Sequence, residues 1–230
     1  MDEWVGGLAA GLAFDQKLYG IHLIGGDSVS TPGPTMLSIT IIGRRACQGF
    51  LARSGACVGD DIYVSGTIGD AALGLKVLNG DIALDDGDLA AALVDRYHLP
   101  RPRVQLGEAL VGCASAAMDV SDGLVQDLSH ICAASGVSGV IVSSEVPLST
   151  PARSLLTGDW VVLEDILNGG DDYELLFTAP KSARGEVLTR AAAAGTEISR
   201  IGQIEAGGGV TVRDRDGRLV PLGRVGYRHG

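Results

Sequence analysis

Three short clusters of acidic residues beside glycine interrupt the apolar stretches of this chain. They are Gly25–Asp27, Asp119–Gly123 and Gly169–Glu174. Glycine lets the backbone approach a ligand closely, and bare carboxylates attract hard cations such as Mg²⁺. No histidine lies within the clusters. The pattern therefore predicts sites that hold metal ions against phosphate groups.

Asp119 and Asp122 are three residues apart, where a predicted strand meets a predicted helix. This spacing brings two carboxylates to one side of a tight turn, where they can share a cation. Ser121 is a candidate to bind a phosphate oxygen, and the amides at the start of the helix at Gly123 favour anions. The alternative is that Ser121 or Asp122 only caps the helix.

The other two clusters differ in how readily a plain turn explains them. Asp27 follows a predicted strand, at the end where open sheets present ligands, although a turn with a solvated Asp is the simpler alternative. Gly169–Glu174 carries more acid than a turn requires. Arg53, in a predicted turn, is a candidate phosphate contact, with a solvated surface arginine as its alternative.

Hydrophobic periodicity predicts the elements that position these clusters. The predicted helices are 3–19, 69–78, 87–97, 103–113, 123–135, 160–167 and 181–194. The predicted strands are 21–24, 35–43, 61–65, 116–120, 138–142, 173–178, 198–204 and 209–214. Strands interleaved with helices in this way are typical of a layered α/β or α+β fold.

Composition narrows the class of protein. The net charge of −10 over 230 residues argues against nucleic acid as a partner. No apolar run reaches the roughly 20 residues that span a bilayer. The four cysteines form no CxxC pair and are expected to be buried thiols of a cytoplasmic protein. The four histidines show no ligand spacing, and neither a Walker-type phosphate loop nor a protein-kinase motif set is present.

Several longer motifs, in order along the chain, resemble those of the thiamine-monophosphate kinase family. They are Ile24–Thr31, Arg53–Ala56, Gly59–Asp60 with Tyr63–Thr67, Met118–Leu124, Asp127–Leu128 and Gly169–Leu175. The family belongs to a wider group with aminoimidazole ribonucleotide synthetase and selenophosphate synthetase. The resemblance implies an α+β fold, with a layered α/β carboxy-terminal domain of the aminoimidazole ribonucleotide synthetase-like type and an ATP-binding architecture without a P-loop.

The resemblance also implies a Mg²⁺-dependent transfer of the γ-phosphoryl group of ATP onto thiamine monophosphate, which gives thiamine diphosphate. Position by position, the metal ligands implied are Asp27, Asp119 and Asp122, which would hold several Mg²⁺ ions. The nucleotide contacts implied are Gly26, Asp27, Arg53 and Ser121. Asp171 and Tyr227 match substrate contacts, and no general base is implied. Phosphoryl transfer asks mainly for positioning and charge neutralisation, which a carboxylate cluster suits.

Residues 1–45 are expected to be a remnant of the amino-terminal ATP- and metal-binding domain, because family members begin with a further stretch. Residues 46–230 are expected to be the carboxy-terminal α/β domain. The partners implied are ATP, thiamine monophosphate and a second copy of the chain in a homodimer, with no nucleic acid and no membrane. Two alternatives stay open: another ATP-dependent synthetase of the same superfamily, and a truncated, non-catalytic module that binds nucleotide or thiamine phosphate.

Overall fold

The computed structural model describes residues 2–44, 49–158 and 161–223. The chain divides into two units, Met1–Arg44 and Arg45–Gly230, and each is described by itself. The assignment of the first 45 residues to an amino-terminal ATP-binding domain stays a prediction. Among the described residues, no helix is both long and apolar enough to cross a bilayer.

The first unit contains one long helix, α1 (Asp2–Tyr19), and this confirms the helix predicted for residues 3–19. Its less exposed positions include Leu8 and Leu12, one helical turn apart. The strands predicted at 21–24 and 35–43 are wrong, since no strand is assigned within residues 20–44. A strand needs a paired neighbour for its backbone donors and acceptors, and apolar alternation alone does not provide one.

The second unit contains six strands and seven further α-helices among its described residues. The strands are β1 (Asp61–Ser65), β2 (Ala116–Asp119), β3 (Ser138–Val142), β4 (Leu175–Ala179), β5 (Ile198–Glu205) and β6 (Gly209–Arg213). The helices are α2 (Asp70–Leu78), α3 (Gly87–His98), α4 (Val104–Ala109), α5 (Leu124–Ser135), α6 (Thr150–Thr157), α7 (Leu163–Leu167) and α8 (Arg184–Ala193). Short 3₁₀ turns occupy Ser143–Glu145 and Lys181–Ala183.

The six strands form one mixed sheet in the order β2-β4-β1-β5-β3-β6. All neighbouring pairs are antiparallel except β3 and β6, which are parallel. Because side chains alternate along a strand, the sheet buries both faces. This arrangement is the layered α+β fold that was predicted.

The two faces of the sheet carry separate apolar clusters. On one face Ile62 and Val64 join a large cluster that includes Leu124 and Leu128 of α5. On the other face Tyr63 belongs to a smaller cluster with residues of α4 and α8. Tyr63 pairs with Phe177 across β1 and β4, and their rings stack at 5.1 Å between centroids. Helices on both faces therefore hold the sheet rigid beneath the loops at its ends.

Several sequence predictions for this unit need correction. The helix predicted for 103–113 already ends at Ala109. The helix predicted for 160–167 is shorter, Leu163–Leu167, and the preceding helix α6 was not predicted. Its start is set by Ser149, whose hydroxyl accepts a hydrogen bond from the amide of Ala152. Among the described cysteines Cys113 and Cys132 are buried as expected, but Cys57 is exposed.

Candidate functional site

Two of the three predicted clusters lie side by side at one end of the sheet. The antiparallel pairing of β2 with β4 places Asp119 opposite Leu175. The loop after β2 and the loop before β4 therefore lie at the same end of the sheet. Three further hydrogen bonds join these loops: Tyr173 N–H donates to Val120 O at 2.8 Å, Val120 N–H donates to Glu174 O at 2.8 Å, and Asp171 N–H donates to Ser121 O at 2.9 Å.

Glycine makes this close approach possible at two positions. A Cβ on Gly170 would run into the carbonyl oxygen of Ser121. Gly123 has a φ of 120°, and a Cβ there would lie 2.7 Å from the carbonyl oxygen of Asn168. A side chain at either position would push the two loops apart.

Alternate residues of the second loop point inward, and Asp172 is the first of them. It is fully buried and accepts hydrogen bonds from Gly69 N–H at 2.7 Å and Ala71 N–H at 3.1 Å. These donors lie at the start of α2, which has no side-chain cap of its own at Gly69. Burial raises the pKa of Asp172 to about 7, against the effect of the two amide hydrogen bonds. Asp172 therefore acts as a distant helix cap.

Glu174 is the second inward residue, and it is 1% exposed. Its carboxylate accepts hydrogen bonds from Arg103 at 2.6 and 2.7 Å and from Arg96 at 2.9 Å. The Ser65 hydroxyl adds a fourth donor at 2.6 Å. A buried carboxylate with this many donors is a structural centre, so the acid density of the second cluster is partly structural.

The outward residues of the same loop, Asp171 and Tyr173, adopt left-handed backbone conformations, with φ of 67° and 49°. Such angles are uncommon for non-glycine residues and cluster at functional sites. Burial raises the pKa of the Tyr173 phenol, and the carboxylates of Asp171, Asp119 and Asp122 raise it further. Of these three predicted site carboxylates, Asp171 contacts the phenol directly, since Tyr173 Oη donates to its Oδ1 at 3.4 Å.

Asp127, on the first turn of α5, organises the loop after β2. One oxygen, Oδ2, accepts hydrogen bonds from the amides of Ser121, Asp122 and Gly123 at 2.9, 3.0 and 3.2 Å. The expectation that the amides at this point of the chain are open to an anion is wrong for these three, because Asp127 already occupies them. Ser121 is left with its hydroxyl as a ligand group. Burial raises the pKa of Asp127, against these hydrogen bonds.

The carboxylates of the two loops thus form two sets. The floor carboxylates are Asp127, Asp172 and Glu174, which are each at most 1% exposed. The rim carboxylates are Asp119, Asp122 and Asp171, none of which is buried. Beside the rim lies an open pocket of about 290 Å³, near the lower end of ligand pockets, lined by residues that include Pro100, Pro102, Asp119 and Tyr173.

The predicted phosphate contact Arg53 lies on a segment that is fixed on both sides. Ala52 O accepts a hydrogen bond from Ala117 N–H of β2 at 2.8 Å. The Ser135 hydroxyl accepts hydrogen bonds from Gly55 N–H and Ala56 N–H at 3.1 and 3.2 Å. The Arg53 side chain is exposed on this anchored segment.

The remaining predicted site residues are placed as follows. Gly26 and Asp27 belong to the first unit, where both are exposed. Tyr227 lies outside the described residues. No individual role was predicted for Asp127, Asp172 or Glu174. The signals for Asp127 were its place in the Asp127–Leu128 motif and its position four residues after Gly123, within the first turn of a predicted helix.

This chain is similar to one family of protein domains and to several named proteins. Residues 58–215 match the family described as AIR synthase related protein, C-terminal domain. The thiamine-monophosphate kinase of Caulobacter vibrioides is 40% identical over 225 residues, which are 96% of this chain and 62% of that protein. The Salmonella typhimurium thiamine-monophosphate kinase is 38% identical over 228 residues, 99% of this chain and 69% of that protein. The chain therefore belongs to the thiamine-monophosphate kinase family.

Solved structures agree with this assignment. The crystal structure of thiamine-monophosphate kinase from Stenotrophomonas maltophilia K279a has a TM-score of 0.66 and 41% identity, over 76% of this chain and 55% of that one. A structure of AaThiL complexed with AMPPCP and TMP has a TM-score of 0.65 and 35% identity, over 79% of this chain and 54% of that one. The chain thus spans about half to two thirds of the length of these relatives.

Proposed function

We propose that this chain takes part in transfer of the γ-phosphoryl group from ATP to thiamine monophosphate, with thiamine diphosphate as the product. The observation that carries the proposal is that the loop with Asp119 and Asp122 and the loop with Asp171 meet at one end of the sheet, joined by backbone hydrogen bonds and by close contact at Gly123 and Gly170. The names of the relatives support the same activity. The related AaThiL has been solved in complex with AMPPCP and TMP.

The rim fits Mg²⁺ by the chemistry of its donors. Asp119 and Asp122 offer carboxylate oxygens outside the core, and hard cations with oxygen ligands are those that such a set prefers. We propose both as Mg²⁺ ligands, and Asp27 as a further ligand carried by the first unit. Mg²⁺, when bound, neutralises phosphate charge. Asp127 keeps the loop that carries Asp122 in one conformation through its three amide hydrogen bonds.

The remaining roles follow the chemistry of each side chain. We propose that the Arg53 guanidinium and the Ser121 hydroxyl contact the nucleotide, together with Gly26 and Asp27 of the first unit. Arg53 offers several N–H donors to phosphate from an anchored segment. We propose Asp171 and Tyr227 as contacts to thiamine monophosphate. The homodimer, the cytoplasmic location and the absence of nucleic acid and membrane partners stay predictions.

The proposal is tested by incubating the full chain with ATP, thiamine monophosphate and Mg²⁺ and measuring thiamine diphosphate by chromatography. We expect product from the wild-type chain and from Asp88→Asn, an exposed control on α3. Asp122→Asn, which is nearly isosteric, should lower the rate by at least about 100-fold, or about 2.7 kcal/mol. Nucleotide binding without product would favour the non-catalytic module, and product from another superfamily substrate alone would favour a synthetase. An unchanged rate in Asp122→Asn would show that Asp122 has only a structural role in the loop and is not a Mg²⁺ ligand.

A further inference from the structure

Two carboxylates and one imidazole lie close together at the start of α5. Asp122, Asp127 and His130 each place one ligand atom so that all three atoms lie within 4.8 Å of one another. Asp127 and His130 are three residues apart on the helix and so lie on the same face. Asp122 reaches the same face from the loop before the helix, where Gln126 Nε2 donates to its Oδ2 at 3.2 Å.

A second observation distinguishes this group from an ordinary acidic cluster. The three amide donors of the loop all bind Oδ2 of Asp127. The other oxygen, Oδ1, is buried and has no hydrogen-bond partner among the residues that the structure describes. A buried carboxylate oxygen without a partner costs free energy, and such atoms in folded proteins call for an ion or a donor. A cation bound by Oδ1 would remove that cost.

We propose that Asp122, Asp127 and His130 form a binding site for a divalent transition-metal ion. Imidazole nitrogen together with carboxylate oxygen suits ions such as Zn²⁺ and Co²⁺, whereas Mg²⁺ prefers oxygen ligands alone. The two carboxylates balance the charge of a divalent ion. His130 is exposed, so its ring can move the short distance that metal–ligand bonds of about 2.0–2.2 Å require. Asp127 is held by the loop amides and provides the fixed ligand.

The site shares Asp122 with the proposed Mg²⁺ rim but does not depend on phosphoryl transfer. His130 and the free oxygen of Asp127 have no part in the reaction proposed above. The histidines were set aside at the level of sequence because they show no ligand spacing among themselves. The partners of His130 are aspartates, and one of them comes from outside the helix. The binding of a transition-metal ion in the absence of nucleotide is therefore a separate property.

The test is isothermal titration of the full chain, without a histidine tag, with Co²⁺ and with Mg²⁺ in the absence of nucleotide. We expect Co²⁺ to bind the wild-type chain more tightly than Mg²⁺. His130→Gln should weaken Co²⁺ binding by at least about 10-fold, because even the loss of a group that only orients a ligand costs about that much in metal sites, and His130 is itself a ligand. It should leave the weaker Mg²⁺ binding unchanged. His98→Gln, an exposed histidine on α3, is the matched control and should bind Co²⁺ like the wild type.

A second variant, Asp127→Asn, probes the buried ligand, with circular dichroism to check that it folds. An amide oxygen can still accept the loop amides, so weaker Co²⁺ binding in the folded variant supports the site. If Asp127→Asn does not fold, His130→Gln decides alone, because an exposed side chain is not needed for folding. Cys57 has an exposed thiol that could also bind Co²⁺. Because this thiol is present in every variant, it does not account for differences in Co²⁺ binding between them. Wild-type Co²⁺ affinity in His130→Gln, or no Co²⁺ binding at millimolar concentration, would overturn the proposal and leave the proposed function intact.

Discussion

The floor and the rim of the site are both built from carboxylates at the junction of β2, α5 and β4, yet they differ in burial and in hydrogen-bond partners. The floor carboxylates each accept two to four hydrogen bonds from the protein and are almost completely buried. The rim carboxylates are exposed or half-buried, and Asp171 accepts a hydrogen bond from the phenol of Tyr173 at 3.4 Å. Acid density in a loop therefore does not identify ligands. The direction of each side chain does, and it alternates from Asp171 to Glu174.

We expect variants of the floor carboxylates to lose stability, with the largest loss at Glu174. Glu174→Ala should lower the free energy of unfolding by about 3–5 kcal/mol, because it leaves Arg96 and Arg103 without their buried anion. Denaturant titration measures this loss. Glu186→Ala is the matched control, since Glu186 is 53% exposed and pairs with Arg190 on the helix surface. It should change stability by less than about 1 kcal/mol. Equal losses in the two variants would contradict the distinction.

The second floor prediction concerns pH and Asp172. Because burial raises its pKa from 3.8 to about 7, the folded chain keeps a proton that the unfolded chain has released between these values. The free energy of unfolding of the wild type, relative to that of Asp172→Asn, should therefore be highest at pH 4 and below, and it should fall as the pH rises towards 7. The difference should change by at most about 1.4 kcal/mol per pH unit. Denaturant titrations at several pH values measure it. Parallel stability curves for the two proteins would show that the Asp172 pKa is not raised.

Sequence periodicity predicted most of the second unit because its strands are short, apolar and bounded by glycine. β1 and β3, at 61–65 and 138–142, have the predicted limits. The start of β4 was predicted two residues early, since the left-handed angles of Asp171 and Tyr173 depend on contacts with the loop after β2. The cap that Asp172 gives to α2 joins positions 101 and 103 residues apart, which no local pattern encodes. The strands predicted at 21–24 and 35–43 lacked paired neighbours.

The rim residues could be predicted individually, because the motifs around Asp119, Asp122 and Asp171 are long and specific. Their convergence could not be derived from spacing, since it depends on the pairing of β2 with β4 and on close contact at Gly170. The role of Asp127 was missed for a related reason. A carboxylate that accepts three loop amides resembles, in the sequence, any acidic residue in the first turn of a helix.

We propose that the rim carboxylates bind Mg²⁺ together with phosphate, while the floor carboxylates hold the loops in place. Calorimetric titration of the full chain with AMPPCP, with and without Mg²⁺, tests it most directly in Asp119→Asn, Asp122→Asn and the control Asp88→Asn. We expect Mg²⁺ to strengthen binding to the wild type and the control. In each rim variant, the factor by which Mg²⁺ increases the affinity for AMPPCP should be smaller by at least about 10-fold, or about 1.4 kcal/mol. The melting temperature of the variant should not change. If both rim variants keep the wild-type dependence of binding on Mg²⁺, or if they lose their fold rather than their binding, this assignment of the rim is wrong.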